Sequence, residues 1–304
     1  MSDEMKATAQ TFNEAATAEK SWVAVYADLV KARLTLLVLL TTLVGFYVGF
    51  QGPMDYLLMF HAMLGTALVA GGAAALNQLL EKDFDAKMRR TANRPLPSGR
   101  LQPTTVLIFG GICSTAGLIY LALAVNPVTS VLGAVSLVSY LFIYTPLKRV
   151  TWLNTAIGAI PGGLPPLMGW TAARGEISQG GWSLFGILCF WQIAHFLAIA
   201  WMYREEYAKA GFVMLPSVDP NGIRTGRQAV GHTFGLLPIS LMPFVLKLAG
   251  PIYLFGALIL GIVFLWCAIQ FSRELTVARA RRLFFASILY LPLLLGLMAL
   301  DKLK

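Results

Sequence analysis

This chain is dominated by a succession of apolar runs, each close to the ~20 residues that cross the hydrocarbon core of a bilayer. Residues 29–50, 56–80, 104–124, 127–145, 153–173, 181–203, 229–248, 251–272 and 284–300 form such runs. Backbone inside a bilayer must satisfy its own hydrogen bonds, so runs of this length are predicted to be helices. The expectation is an all-α integral membrane protein with nine transmembrane helices. It divides into a polar tail over 1–25 and a single transmembrane domain over 26–304. A water-soluble chain of 304 residues would not carry 57% hydrophobic and 13% charged residues.

Within the run 153–173, Pro161, Gly162, Gly163, Pro165 and Pro166 are expected to break or kink the helix. Such backbone is tolerated at membrane depth only when it is buried in protein or faces a cavity.

The net charge of +9 does not point to nucleic acid, because most of the basic residues lie in loops on one side of the predicted spans. The positive-inside rule puts that side, and the N-terminus, in the cytoplasm, with the C-terminus on the periplasmic face. The first twenty residues are polar and mixed in charge, and resemble neither a signal peptide nor a transit peptide. A bacterial inner membrane is the simplest location. Cys113, Cys189 and Cys267 all fall inside apolar runs and form no zinc or disulfide pattern.

The second run ends in "NQLLEKDFDAKMRRTANRPLPSGR", residues 77–100. Asn77, Glu81 and Asp85 recur every four residues, on one helical face with a rise of about 6 Å between them. Asp83 lies two residues past Glu81 and points away from that face in an ideal helix. Carboxylates with a side-chain amide suit Mg²⁺, which prefers oxygen ligands and shares them with phosphates. Lys87, Arg89, Arg90, Arg94 and Arg100 follow, and suit the remaining phosphate oxygens. The plainer alternative is a helix end with a solvated charged loop.

A second long loop follows the sixth run, in "WQIAHFLAIAWMYREEYAKAGFVMLP". Gln192, His195 and Tyr203 lead there into Arg204, Glu205, Glu206 and Lys209. Two such loops facing each other would cap a central cavity. An ionisable group inside an apolar helix is costly and often functional, which singles out His195. His61 and His232 are weaker candidates.

The Asn-x₃-Glu-x₃-Asp ladder leading into "RTANRPLPSG" resembles the first motif of the UbiA family of intramembrane prenyltransferases. "YTPLKRVTWLN" at 144–154 is similar to the segment that follows the fourth helix there. "DAKMRRTANRPLPSG", "IGAIPGGLPPLMGW" and "WQIAHFLAIAWMYREEYAKAGFVMLP" look like the haem-modifying branch of that family. The likeness runs from about residue 25 to 300.

The resemblance implies nine helices around a central chamber, farnesyl diphosphate and haem b as substrates, and Mg²⁺ as cofactor. It implies Asn77, Glu81, Asp85, Arg94, Lys148 and His195 as catalytic residues. The diphosphate site would comprise Lys87, Arg89, Arg90, Arg94, Lys148, Arg149 and Arg204. The metal ligands would be Asn77, Glu81 and Asp85, with Asp83, Glu205 and Glu206 as further candidates. Gln192, His195, Phe196 and Tyr203 would form the haem pocket. This chain departs from the wider family at the second motif, where an Asp-x₃-Asp pair is replaced by Phe196 and Tyr203 near the expected places. The implied product is haem O, destined for haem A synthase or a terminal oxidase. Two alternatives stay open: prenyl transfer to an aromatic acid or quinone precursor, and a haem or lipid transporter without chemistry.

Overall fold

The computed structural model describes residues 21–303. Ser21 caps a short helix, α1 (Trp22–Leu29), whose Trp22 is largely exposed. Of the polar tail expected over 1–25, the first twenty residues lie outside the described residues. The long helices that follow are α2 (Ala32–Gly49), α3 (Tyr56–Leu80), α5 (Pro103–Ala124), α6 (Pro127–Leu147), α7 (Asn154–Arg174) and α8 (Gln179–Met202). They continue as α11 (Ile223–Val245), α12 (Pro251–Arg273) and α13 (Val277–Leu300). Short turns α4 (Lys82–Asp85), α9 (Arg204–Lys209) and α10 (Leu215–Val218) sit in the two long loops.

Among the described residues, seven helices are long and apolar enough to cross a membrane. The other two long ones, α7 and α11, fall outside that set. The first is diluted by prolines, glycines and Asn154, and the second by Arg224, Arg227, Gln228 and His232.

The helix α7 occupies the centre. It packs on α2, α3, α6 and α8, and it is buried along most of its length. Its small residues follow from that position. A Cβ on Gly169 would collide with the Thr42 carbonyl, and one on Gly45 with the Pro166 carbonyl, so α2 and α7 approach backbone to backbone. On either side, α3, α5 and α6 pack in series, as do α8, α11, α12 and α13. At the end away from the long loops, the Lys302 ammonium donates to the carbonyls of Tyr47 and Phe50, each at 2.7 Å, and ties α13 to α2.

The expected break in α7 is absent: Asn154–Arg174 is one continuous helix. Pro165 has no N–H for the Pro161 carbonyl four residues back, and Ser136 of α6 supplies a donor instead, at 3.3 Å. Neighbouring hydroxyls commonly take this role when a proline lies within a membrane-depth helix. The disturbance falls in α6, where Ser139–Tyr144 winds as a π-helix just before Pro146. There the Thr145 hydroxyl donates to the Tyr140 carbonyl at 2.8 Å. Insertions of this kind often mark functional sites.

Candidate active site

The helix α3 ends at Leu80, yet the helical path continues. The Glu81 N–H donates to the Asn77 carbonyl at 3.0 Å, and the Asp85 N–H to the Glu81 carbonyl at 2.8 Å. Asn77, Glu81 and Asp85 therefore stay on one face through the change from α3 to α4, and all three are buried. The 86–100 segment then folds back over them. Thr91 donates to the Asp85 carbonyl at 2.7 Å, and the Arg94 guanidinium meets the Asp85 carboxylate at 2.5 Å.

Two lysines complete the cluster from other parts of the chain. The Lys148 ammonium donates to Glu81 Oε1 at 2.8 Å, and the Lys31 ammonium to Asn77 Oδ1 at 2.7 Å. The Asn77 amide nitrogen donates in turn to Glu81 Oε2 and to the Thr145 hydroxyl, both at 3.1 Å. Burial alone would raise the Glu81 carboxyl. The charges of Lys148 and Lys31, with hydrogen bonds from Lys148 and Asn77, outweigh it and hold that carboxyl below its ordinary range.

These groups line a cavity of about 170 Å³ at the loop end of the bundle. Asn77, Glu81, Asp85, Arg90, Arg94, Lys148 and Phe196 all reach it, as does Tyr144 from the π-helical turn. The second long loop supplies the facing wall through Tyr207, Phe212 and Met214. Arg90 bridges the two loops, donating to the Tyr207 hydroxyl at 2.9 Å with its guanidinium over the Tyr203 ring. Asn154 pins the same loop by donating to the Val213 carbonyl at 2.7 Å, while the Val213 N–H donates to the Lys148 carbonyl at 2.7 Å.

Several predicted site residues lie outside this cavity. Asp83, Lys87 and Arg89 are exposed. Arg149 stacks on Phe84 at 4.7 Å, and Arg204 on Trp201 at 4.9 Å. Glu205 is exposed and Glu206 half-buried, neither lining the cavity. Gln192 is buried and donates to the Ala159 carbonyl at 2.7 Å, joining α8 to α7. His195 is sandwiched between Trp191 and Phe284, with ring centroids 5.0 Å from each, and its Nδ1 lies 2.7 Å from the Ser287 hydroxyl of α13. The same hydroxyl also lies 2.5 Å from the Phe284 carbonyl one turn back in α13. His61 pairs with Tyr120, and His232 with the Gln228 carbonyl.

Lys31 is the residue that sequence reasoning missed. In the sequence it lies at the head of the apolar run 29–50 with no motif around it. It sits between α1 and α2 with φ of 49°, a left-handed conformation uncommon for lysine. That turn aims its amine into the cluster. Lys31 also lines a second, mostly apolar cavity of about 180 Å³ between α2, α3, α6 and α7, together with Val38, Val69, Tyr140 and Met168. Lys31 thus lines both cavities.

Among the described residues no three His, Cys, Asp or Glu side chains come together as a metal cluster. The donor set is two carboxylates and one amide oxygen, which suits a hard cation such as Mg²⁺ that keeps coordination sites for water or phosphate. Opposing cations, an oxygen ladder and an adjoining apolar cavity in a multi-pass helical bundle could accept an amphiphile with a polyanionic head.

A profile of the UbiA prenyltransferase family matches residues 38–289. The protoheme IX farnesyltransferase of Solibacter usitatus is 48% identical over 91% of this chain and 98% of its own length. The human mitochondrial protoheme IX farnesyltransferase is 39% identical over 91% of this chain and 62% of its own length. In fold, the chain is similar to a digeranylgeranylglyceryl phosphate synthase, with TM-score 0.79 at 17% identity over 92% of this chain and 98% of that one. It is also similar to a UbiA homologue from Archaeoglobus fulgidus bound to GPP and Mg²⁺, with TM-score 0.64 at 14% identity over 90% and 99% of the two chains. This chain belongs to the UbiA prenyltransferase family.

Proposed function

We propose that this chain transfers the farnesyl group of farnesyl diphosphate to a vinyl group of haem b, with addition of water, giving haem O and diphosphate. The observation that carries the proposal is the juxtaposition at Lys31 of a polar cavity rich in cations and an apolar one. A prenyl diphosphate has the same two parts in the same order. The acceptor follows from the likeness to relatives named protoheme IX farnesyltransferase.

Asn77, Glu81 and Asp85 would hold Mg²⁺, which when bound neutralises charge on the leaving diphosphate. Lys31, Lys148, Arg90 and Arg94 hold the remaining phosphate oxygens, and their fixed charges favour cleavage of the carbon–oxygen bond. The apolar cavity keeps water from the allylic cation until the vinyl π electrons attack its terminal carbon. Water then adds to the cation left beside the porphyrin ring and releases its proton. In this reading His195, one residue before the cavity-lining Phe196 on α8, acts on the haem.

In this reading residues 26–304 form one transmembrane domain in which α7 and α11 also cross the bilayer, making nine crossings. The polar cavity opens to the cytoplasm of a bacterial inner membrane, because the basic loops lie at that end. The product would pass to haem A synthase or to a terminal oxidase. The test is incubation of membranes holding this protein with haem b, farnesyl diphosphate and Mg²⁺, followed by mass analysis of the extracted pigment. A haem heavier by one farnesyl group plus one hydroxyl group is the expected product. Prenylation of 4-hydroxybenzoate instead would move the acceptor to an aromatic acid.

A further inference from the structure

We infer that this pocket excludes a bare divalent cation and admits one only together with the diphosphate, because each residue of the Asn77–Glu81–Asp85 ladder is already paired with its own basic side chain. The inference rests on reading the pocket as a diphosphate site, and adds the order in which that site is filled.

The pairing is one to one. Lys31 holds Asn77 Oδ1 at 2.7 Å, Lys148 holds Glu81 Oε1 at 2.8 Å, and Arg94 holds Asp85 Oδ2 at 2.5 Å. Lys31 and Lys148 come from remote parts of the chain, so no local sequence rule demands their match to Asn77 and Glu81. The second Glu81 oxygen and the Asn77 nitrogen are bound to each other. A metal ion entering alone at Asn77 Oδ1, Glu81 Oε1 and Asp85 Oδ2 would displace an ammonium or guanidinium from each and leave those partly buried cations without partners, which is costly. It would also enter against a positive field, since Lys148, Arg94 and Arg90 face two carboxylates in the same cavity.

A diphosphate reverses both terms. The diphosphate of a prenyl ester carries up to three negative charges, more than one Mg²⁺ neutralises, so the metal–diphosphate pair arrives as an anion. Its oxygens give Lys31, Lys148 and Arg94 new acceptors, and the ladder oxygens are then released to the metal. Lysine and arginine suit this exchange because their long stems move a charge by several ångströms without backbone movement. Lys31, which lines both cavities, would swing toward the oxygen that joins the head to the prenyl chain.

The test is equilibrium dialysis of the full-length protein in detergent against Mn²⁺, with and without inorganic pyrophosphate. Wild-type protein should retain Mn²⁺ with pyrophosphate and, without it, bind at least about tenfold more weakly. Lys31→Met and, separately, Lys148→Met should each tighten binding of Mn²⁺ alone by about tenfold, since each frees one ladder oxygen and removes one repelling charge. Lys31→Arg should restore the exclusion. Equal wild-type affinity with and without pyrophosphate would overturn the inference, as would two methionine variants that fold yet bind bare Mn²⁺ no better. Failure to retain Mn²⁺ even with pyrophosphate would overturn the diphosphate-site reading itself, and the inference with it.

Discussion

The Lys148 ammonium lies 2.8 Å from the Glu81 carboxylate, although 67 residues separate them in the chain. This pair fastens the loop after α6 to the end of α3 and closes the floor of the polar cavity. Glu81→Gln should therefore act on chemistry and stability together. It removes a donor charge and leaves Lys148 buried without its anion. Pyrophosphate release is expected to fall by about 10²–10³-fold at saturating Mg²⁺. Retention of near-normal kcat would remove Glu81 from the metal site.

Asn154 acts at a distance from the reacting atoms. Its amide holds the Val213 carbonyl, and Phe212 and Met214 on either side form the cavity wall. Asn154→Ala should cost about 1–3 kcal/mol locally, the usual penalty for an unpaired buried acceptor. Limited proteolysis should then cut faster in the 203–222 segment, and KM for farnesyl diphosphate should rise more than kcat falls.

The contact of α2 with α7 has no room for a methyl group. Gly169→Ala would force the new Cβ against the Thr42 carbonyl, which is backbone and cannot rotate away. A loss of about 1–3 kcal/mol or more is expected, visible as a lower thermal midpoint in detergent. Gly111→Ala, where a Cβ meets nothing within 4 Å, is the control and should leave the midpoint unchanged.

Ser287 is the hydrogen-bond partner of His195 Nδ1 and orients its ring, so His195→Ala and Ser287→Ala should share a direction. Both are expected to weaken haem use while the KM for farnesyl diphosphate stays within about twofold, with His195→Ala the stronger, by roughly 10-fold or more. Titration of haem b followed in the Soret band separates the two substrates. An unchanged haem affinity and rate in His195→Ala would remove it from the acceptor site.

Much of this protein is legible along the chain, because the bilayer permits few solutions. Apolar runs of membrane length become helices whatever surrounds them, and the helices fall close to the runs that predict them. The Asn77–Glu81–Asp85 face is legible for a similar reason: hydrogen bonds at a spacing of four carry it across the end of α3.

The tertiary structure decided what depends on neighbours. Proline at 161, 165 and 166 reads as a break, and the helix survives because packing on all sides and the Ser136 hydroxyl compensate for the missing donors. Charge alone does not separate Arg94 from Lys87 and Arg89, which are equally basic in the same loop. The fold turns one inward to Asp85 and leaves the others in solvent. Lys31 has no motif around it, and only the left-handed turn before α2 brings its amine to Asn77. Local spacing sets which oxygens share a helical face. Two of the three cations that meet them, Lys31 and Lys148, come from remote segments, and only packing fixes which long side chain finds which partner.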